Sequence, residues 1–348
     1  MPECRDYSCE TEIAEALGKA GRLNLTAYVY HALGEWIHNA RVIGRAARNG
    51  AYDLIVGDET CEVVVAHVIG LRPLPETPFI VLYDLLDMDV TTGSILERLG
   101  AWGLNFIWSR QHRLTGRNNN GALFIGEPSD IPDRRFGLFL PNRRRYAERH
   151  LEFFGYVLTF HLASLPPKNV LRAELCYGPG PLVIYTVGGT AVGRELLELC
   201  GQAYSLVLAE LPGLRMVLVS GPRIDPKGID APEGVERRGM VRELYRHFTA
   251  ADLVITQGGG TTTLELTVLR VPFLFFPLKA QAEQEVTIAN RVARHQAGFR
   301  MSLSETTPHS LARAIVQHIG ESSSYSPIPH DGASRAADIM LKKLELFV

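Results

Sequence analysis

The sequence predicts an α/β protein of two domains, each built on a parallel sheet. Three observations carry that expectation. The chain has 348 residues, more than one domain of about 100–200 residues needs. Short apolar runs alternate with helical stretches, the pattern of strands joined by crossover helices. A proline- and glycine-rich stretch, Leu162–Pro181, interrupts the alternation, which then restarts.

In order, Ala14–Gly50 reads as helical, Tyr52–Glu59 as a short strand ending in acids, and CEVVVAHVIGL as a helix or a second apolar element. Thr77–Asp84 and Ala122–Pro128 read as further strands, with a polar turn at Asn118–Asn120 between them. Beyond the break, PLVIYTVGGT is a buried strand running into glycines. Arg215–Pro222 is a strand, LVITQGGG a strand into a glycine turn, TTTLELTVLR a helix and VPFLFFP a strand. Glu283–Gly298 is a helix stopped by Gly298, and the tail keeps helical periodicity. The expected boundaries are an N-terminal domain over 1–165, a linker over 166–180, a second domain over 181–330 and a C-terminal helix over 331–348.

Hydrophobic residues make up 46% and charged residues 21%, an ordinary globular composition able to bury a large core unaided. The net charge of −2 gives no global attraction to nucleic acid or anionic membranes. The five cysteines are odd in number and lack zinc-site spacing, and the 11 histidines form no ligand cluster. No structural metal is expected; Cys61 and Cys176 read as small core residues in a reducing compartment. No apolar run reaches the ~18 residues of a membrane span. The opening MPECRDYSCETE does not read as a signal peptide, so a cytoplasmic protein is expected.

The chemistry concentrates in VITQGGGTTTLELTVLRVPFLFFP. A strand that ends in glycines and opens a helix aims backbone N–H groups and the positive end of the helix dipole at one spot. Lacking Cβ atoms, Gly258, Gly259 and Gly260 let an anion approach the backbone. Thr261 and Thr262 place hydroxyls in the first turn, and Glu265 places a carboxylate one turn later, spacing suited to a diphosphate and then a sugar diol. The same residues also suit a threonine N-cap, a tight turn and a solvated glutamate. Gly188, Gly189 and Thr190 form a second such turn, without the GxGxxG spacing of a dinucleotide site. GxxxxGK[ST] is absent. Gln281, Glu283 and Gln284 follow the next strand, where they suit either hexose hydroxyls or the polar start of a helix.

AADLVITQGGGTTTLELTVLRVPFLFFP…QAEQE…ANRVARHQAG resembles the donor-binding half of the GT-B nucleotide-sugar glycosyltransferases. The nearest families are the one that transfers N-acetylglucosamine to lipid-linked muramoyl-pentapeptide and the macrolide-type transferases. The resemblance is specific over about Pro181–Gly298. It implies two Rossmann-like domains facing a cleft, with Gly258–Thr262 on the diphosphate, Glu265 on the ribose and Gln281–Gln284 on the donor sugar. It also implies that Gly188–Thr190 face the cleft and that the backbone at Met240 and Val241 reads the base. The N-terminal half opens without the strand and glycine turn usual in this family. Either that first strand–helix unit is missing from this chain or the domain has diverged.

The implied reaction moves a hexose, most simply from a UDP-sugar, to an acceptor hydroxyl on a lipid-linked, glycan or natural-product acceptor. It is inverting and uses neither metal nor cofactor. Asp58 and Asp84, at strand ends of the first half, are the candidate bases, and both also read as solvent-facing acids. Arg134–Arg149 carries six arginines beside aromatics. It reads either as a solvated loop or as a face for an anionic lipid or phosphorylated acceptor, with peripheral contact at the inner membrane; no RNA-binding signature accompanies it. A partner-dependent or non-catalytic donor-binding subunit and a nucleotide-sugar epimerase or hydrolase are the alternatives.

Overall fold

The structure is a computed structural model. It describes residues 3–5, 18–19, 22–23, 25–71, 74, 76–86, 95–116, 120–187, 193–278 and 283–345. The chain forms two compact units: Met1–Val157 with Asp331–Val348, and Leu158–His330. Among the described residues no helix is long and apolar enough to cross a membrane.

In the first unit, α1 (Leu25–Asn49) precedes β1 (Ile55–Asp58), α2 (Cys61–Val68), β2 (Phe79–Tyr83), α3 (Ile95–Trp108) and α4 (His112–Thr115). Then come β3 (Gly121–Phe124), α5 (Arg143–His150) and β4 (Glu152–Phe153). The strands lie in the order β1-β2-β3-β4, all parallel. Strands β2 and β3 are apolar on both faces because both faces are covered. Phe79, Val81 and Phe124 pack with Val63, Val64 and Tyr146 on one side. Ile80 and Leu123 pack with Phe154 and Ala336 on the other. Ala336 belongs to the C-terminal helix, Gly332–Glu345, which is thus a layer of the first unit rather than an appendage. Gly332 N–H donates to the Tyr156 carbonyl at 3.0 Å, and Lys343 pairs with Glu152 at 3.0 Å. Of the expected asparagine turn, Asn118 and Asn119 lie outside the described residues. Asn120 ties two strand starts together, accepting from Phe79 N–H at 2.7 Å and donating to the Leu114 carbonyl at 2.9 Å.

The second unit runs α6 (Lys168–Glu174), β5 (Leu182–Thr186), α7 (Arg194–Glu210), β6 (Arg215–Val219), β7 (Glu236–Arg238), α8 (Leu244–Ala250), β8 (Leu253–Thr256), α9 (Gly260–Leu269) and β9 (Phe273–Phe275). A π-helical turn, Glu283–Ile288, leads into α10 (Ala289–Arg294), followed by β10 (Phe299–Arg300) and α11 (Pro308–His318). The sheet order is β10-β9-β8-β5-β6-β7, all parallel. Its faces bury separate cores. Val183, Tyr185, Leu218, Ile255 and Phe276 pack with α7 residues Leu196, Leu197 and Cys200. Leu182, Ile184, Val217, Val254 and Phe273 pack with Leu266 of α9 and Phe248 of α8.

Two readings are corrected here. The stretch expected to link the domains, 166–180, lies inside the second unit and holds α6. Leu171 is fully buried there, and the Asp252 carboxylate binds Lys168 Nζ at 2.7 Å, the Arg172 guanidinium and Leu182 N–H at 2.8 Å. Cys176, expected in the core, is exposed at a left-handed residue (φ 56°) that follows this helix; among the described cysteines Cys200 is the fully buried one.

Candidate functional site

The strand order of the second unit reverses between β5 and β8, and open parallel sheets bind ligands beyond the carboxyl ends of the strands at such a switch point. Thr186 and Thr256 end these strands side by side in register. The two glycine-rich turns read from the sequence follow them. Gly188, Gly189 and Thr190 lie outside the described residues. After β8, Gly258 adopts φ 96°, a conformation that a side chain strains, while a Cβ on Gly259 would meet nothing within 4 Å. The first glycine is needed for the turn, and the second leaves the approach open.

Helix α9 starts with Gly259 as its N-cap and without a side-chain cap. The expectation of a threonine N-cap therefore fails. The amides of Gly260, Thr261 and Thr262 occupy the positions whose N–H groups find no partner within a helix. Thr263 instead turns inward, its hydroxyl donating to the Gly259 carbonyl at 2.9 Å. Arg291, from α10, donates through Nη2 to the Gly260 carbonyl at 2.5 Å and to Thr263 Oγ1 at 3.0 Å, bringing a guanidinium beside the first turn.

Glu265 is 8% exposed, so the solvated-glutamate reading is overturned. Its Oε1 accepts from Thr159 Oγ1 at 3.0 Å, and no described residue hydrogen-bonds Oε2. Burial pushes its carboxyl above the usual range, with the Thr159 hydroxyl opposing the rise. Thr159 is held nearby by the stacking of Phe160 on Tyr245, ring centroids 4.3 Å apart. A nearly buried carboxylate with one oxygen unmatched is costly unless a hydroxyl meets it.

Met240 is exposed and Val241 half-buried, in the loop between β7 and α8. Gln281 lies outside the described residues. Glu283 is exposed and its carboxylate lies 3.9 Å from where a Cβ of Gly260 would be. Gln284 is buried, its Oε1 accepting from Leu278 N–H at 3.1 Å, so that oxygen holds its own loop. Thr159, Arg291 and the buried Gln257 were not foreseen; only Gln257, just ahead of the glycines, carried a local signal.

In the first unit, Asp58 ends β1 and Asp84 follows β2, the adjacent strand. Both are exposed at the carboxyl edge of that sheet. The arginine cluster divides. Arg143 is buried over the Phe136 ring at 5.8 Å, burial lowering its pKa to about 10. Arg134, Arg135, Arg145 and Arg149 are exposed. Beside them stand Leu138 and Phe139, 71% and 88% exposed, and on α3 Ile95, Leu99 and Trp102 at helical spacing, all exposed. Trp102 Nε1 donates to the Leu138 carbonyl at 3.1 Å and joins the two parts.

Residues 241–341 match the model of the glycosyltransferase family 28 C-terminal domain. The chain is 34% identical over 152 residues to an uncharacterized glycosyltransferase of Methanosarcina mazei, covering 42% of this chain and 37% of that protein. It is 27% identical over 195 residues to the UDP-N-acetylglucosamine–N-acetylmuramyl-(pentapeptide) pyrophosphoryl-undecaprenol N-acetylglucosamine transferase of Acidiphilium cryptum, covering 51% of each. The chain thus spans between about a third and a half of the length of these curated relatives. Among solved structures, the glycotransferase of kitacinnamycin superposes with a TM-score of 0.54 at 16% identity, covering 95% of this chain and 80% of that one. MurG of Acinetobacter baumannii superposes with a TM-score of 0.53 at 15% identity, covering 90% and 79%. The chain has the GT-B fold, and its residues 241–341 are similar to the glycosyltransferase family 28 C-terminal domain.

Proposed function

We propose that the protein is a glycosyltransferase that moves a hexose from a nucleotide diphosphate sugar, a UDP-sugar in the first instance, to an acceptor hydroxyl. The observation that carries this reading is the pairing at the switch point of an uncapped helix start with the nearly buried Glu265 carboxylate. The amides of Gly260–Thr262 and the hydroxyls of Thr261 and Thr262 stabilise charge on the departing diphosphate, electrostatic catalysis that needs no metal. Arg291 adds positive charge, Glu265 Oε2 accepts from the ribose diol, and the backbone at Met240 and Val241 meets the base. Gly188–Thr190, Gln281, Glu283 and Gln284 keep their proposed roles along the diphosphate and the sugar. Transfer is inverting: one displacement at the anomeric carbon, with the acceptor proton passing to a carboxylate.

The test is a thermal-shift titration of the whole chain with UDP, dTDP, GDP, ADP and NAD. A ligand bound only by the folded protein stabilises it by about 2.7 kcal/mol at 100 times its Kd. Stabilisation by UDP or dTDP but not NAD is expected; stabilisation by NAD alone would remove the transferase reading.

Asp58 and Asp84 are the proposed bases. Replacing the true base by asparagine lowers kcat by about 10²–10⁴-fold, with Kd for the donor unchanged. If both variants keep full turnover, the base lies elsewhere.

The exposed apolar residues Leu138, Phe139, Ile95, Leu99 and Trp102, together with the exposed Arg134, Arg135, Arg145 and Arg149 of the same stretch as Leu138, support a lipid-linked acceptor met at an anionic membrane face. Phe139→Asp is expected to abolish cosedimentation with phosphatidylglycerol vesicles. Unchanged pelleting of that variant would exclude this face as the contact.

A further inference from the structure

Thr159 is the second residue of the second unit, which begins at Leu158. It is exposed, yet its hydroxyl donates at 3.0 Å to the nearly buried Glu265, 106 residues away. The contacts around that bond close a ring. Phe160, the next residue, lies flat on Tyr245 of α8, with ring centroids 4.3 Å apart and planes at 19°. The Tyr245 hydroxyl donates to the Glu243 carboxylate at 2.8 Å, which fixes the far end of that ring system. Phe248 of α8 and Leu266, the neighbour of Glu265 on α9, share one core. Thr159 is thus fastened to the same pair of helices as the carboxylate it meets.

We infer that Thr159 is a positioning residue for nucleotide binding, holding Glu265 Oε1 so that Oε2 is turned to the ribose diol; the inference rests on the nucleotide-sugar reading above. Stability alone does not account for the bond. Water reaches an exposed threonine and can satisfy Oε1 nearly as well, so the hydroxyl adds little to folding. Nor is the hydroxyl needed to pin its own segment, which Phe160 already anchors on Tyr245. What a tethered hydroxyl supplies and water does not is direction. The last torsion of a glutamate side chain is broad. A fixed donor on one oxygen selects one orientation of the carboxylate plane, and with it the direction in which the other oxygen accepts. The same hydroxyl opposes the burial that pushes the Glu265 carboxyl up, and so keeps more of it as the anion. The anion is the stronger acceptor for a ribose hydroxyl.

The experiment is calorimetric titration of the full chain, Thr159→Val and Thr159→Ser with UDP and with 2′,3′-dideoxy-UDP, which lacks the diol. The wild type is expected to bind UDP more tightly than the dideoxy nucleotide. Thr159→Val keeps the shape of the side chain and removes the hydroxyl. It should weaken UDP by about tenfold, the scale of one hydrogen bond, and leave the dideoxy nucleotide within about twofold. That retained affinity reports a folded site. Thr159→Ser restores the donor and should bind UDP within about twofold of the wild type. Equal weakening of both nucleotides by Thr159→Val would make Thr159 a support of the loop rather than of the ribose contact and overturn the inference, as would no change for either. A serine variant as weak as the valine variant would overturn it too. These outcomes leave the transferase reading standing. A wild type that binds neither nucleotide overturns the transferase reading and this inference with it.

Discussion

Glu265→Gln is expected to raise the melting temperature of the ligand-free protein while lowering its affinity for UDP. Burial holds the folded-state pKa of this carboxyl above its unfolded value of about 4.3. A carboxyl shifted upward binds its proton more readily in the folded state. The group therefore costs nothing below the unfolded pKa, and destabilises increasingly as pH rises through the folded value. Glutamine keeps an oxygen for the Thr159 hydroxyl and carries no charge to bury. Melting temperatures of variant and wild type should coincide near pH 3 and diverge toward neutrality, by about 2–4 °C for each kcal/mol recovered in a unit of this size. UDP affinity should fall by about 1.5–3 kcal/mol, the worth of a charge-assisted hydrogen bond. Calorimetric scans across pH and UDP titration at pH 7 check the two halves independently. A variant that gains stability and keeps its UDP affinity would leave Glu265 without a role in ribose binding. The opposed signs distinguish a residue kept for a ligand from one kept for the fold.

Asp252→Ala is expected to show the largest loss of stability, about 3–5 kcal/mol, the range for removing one partner of a buried ion pair. The Asp252 side chain is 19% exposed and that of Arg172 13%. Arg172 also donates to the carbonyls of Ala250, Pro179 and Gly180, so it cannot swing out to water without breaking those bonds. Burial pushes the Asp252 carboxyl up. The Lys168 ammonium, the Leu182 amide and the Arg172 guanidinium together outweigh it and hold the pKa below the usual value. The stability this carboxylate contributes is therefore present above its unfolded pKa of about 3.9 and is lost as pH falls through the lower folded value. Urea unfolding at pH 7 should separate wild type from variant widely, and the gap should narrow as pH falls below the unfolded pKa. A difference independent of pH would assign the loss to packing instead.

The strands were legible because a parallel strand buried on both faces is a short unbroken apolar run; FIVLY and LVIYT can hardly be anything else. The glycine turn after β8 was legible because glycines between a strand and a helix have a stereochemical reason to be there. The stretch 166–180 was misread because its prolines and glycines advertise a break, whereas its helix is anchored by one buried leucine and by ions paired with Asp252, more than seventy residues away. Thr159 and Glu265 lie 106 residues apart. Nothing local marks a threonine as the partner of a distant carboxylate, and the same holds for Arg291. Cys176 has apolar neighbours in sequence yet sits at a left-handed turn, where the backbone rather than the side chain decides exposure.

The docking of Gly332–Glu345 on the Ile80, Leu123 and Phe154 face has a consequence for biogenesis. Domains tend to fold as units while the ribosome elongates the chain. The unit made of a continuous stretch, Leu158–His330, has all its parts before the helix that completes the other unit has been translated. The half encoded first is thus the half finished last. Until translation reaches Ala336, its nascent sheet offers an uncovered apolar face to chaperones.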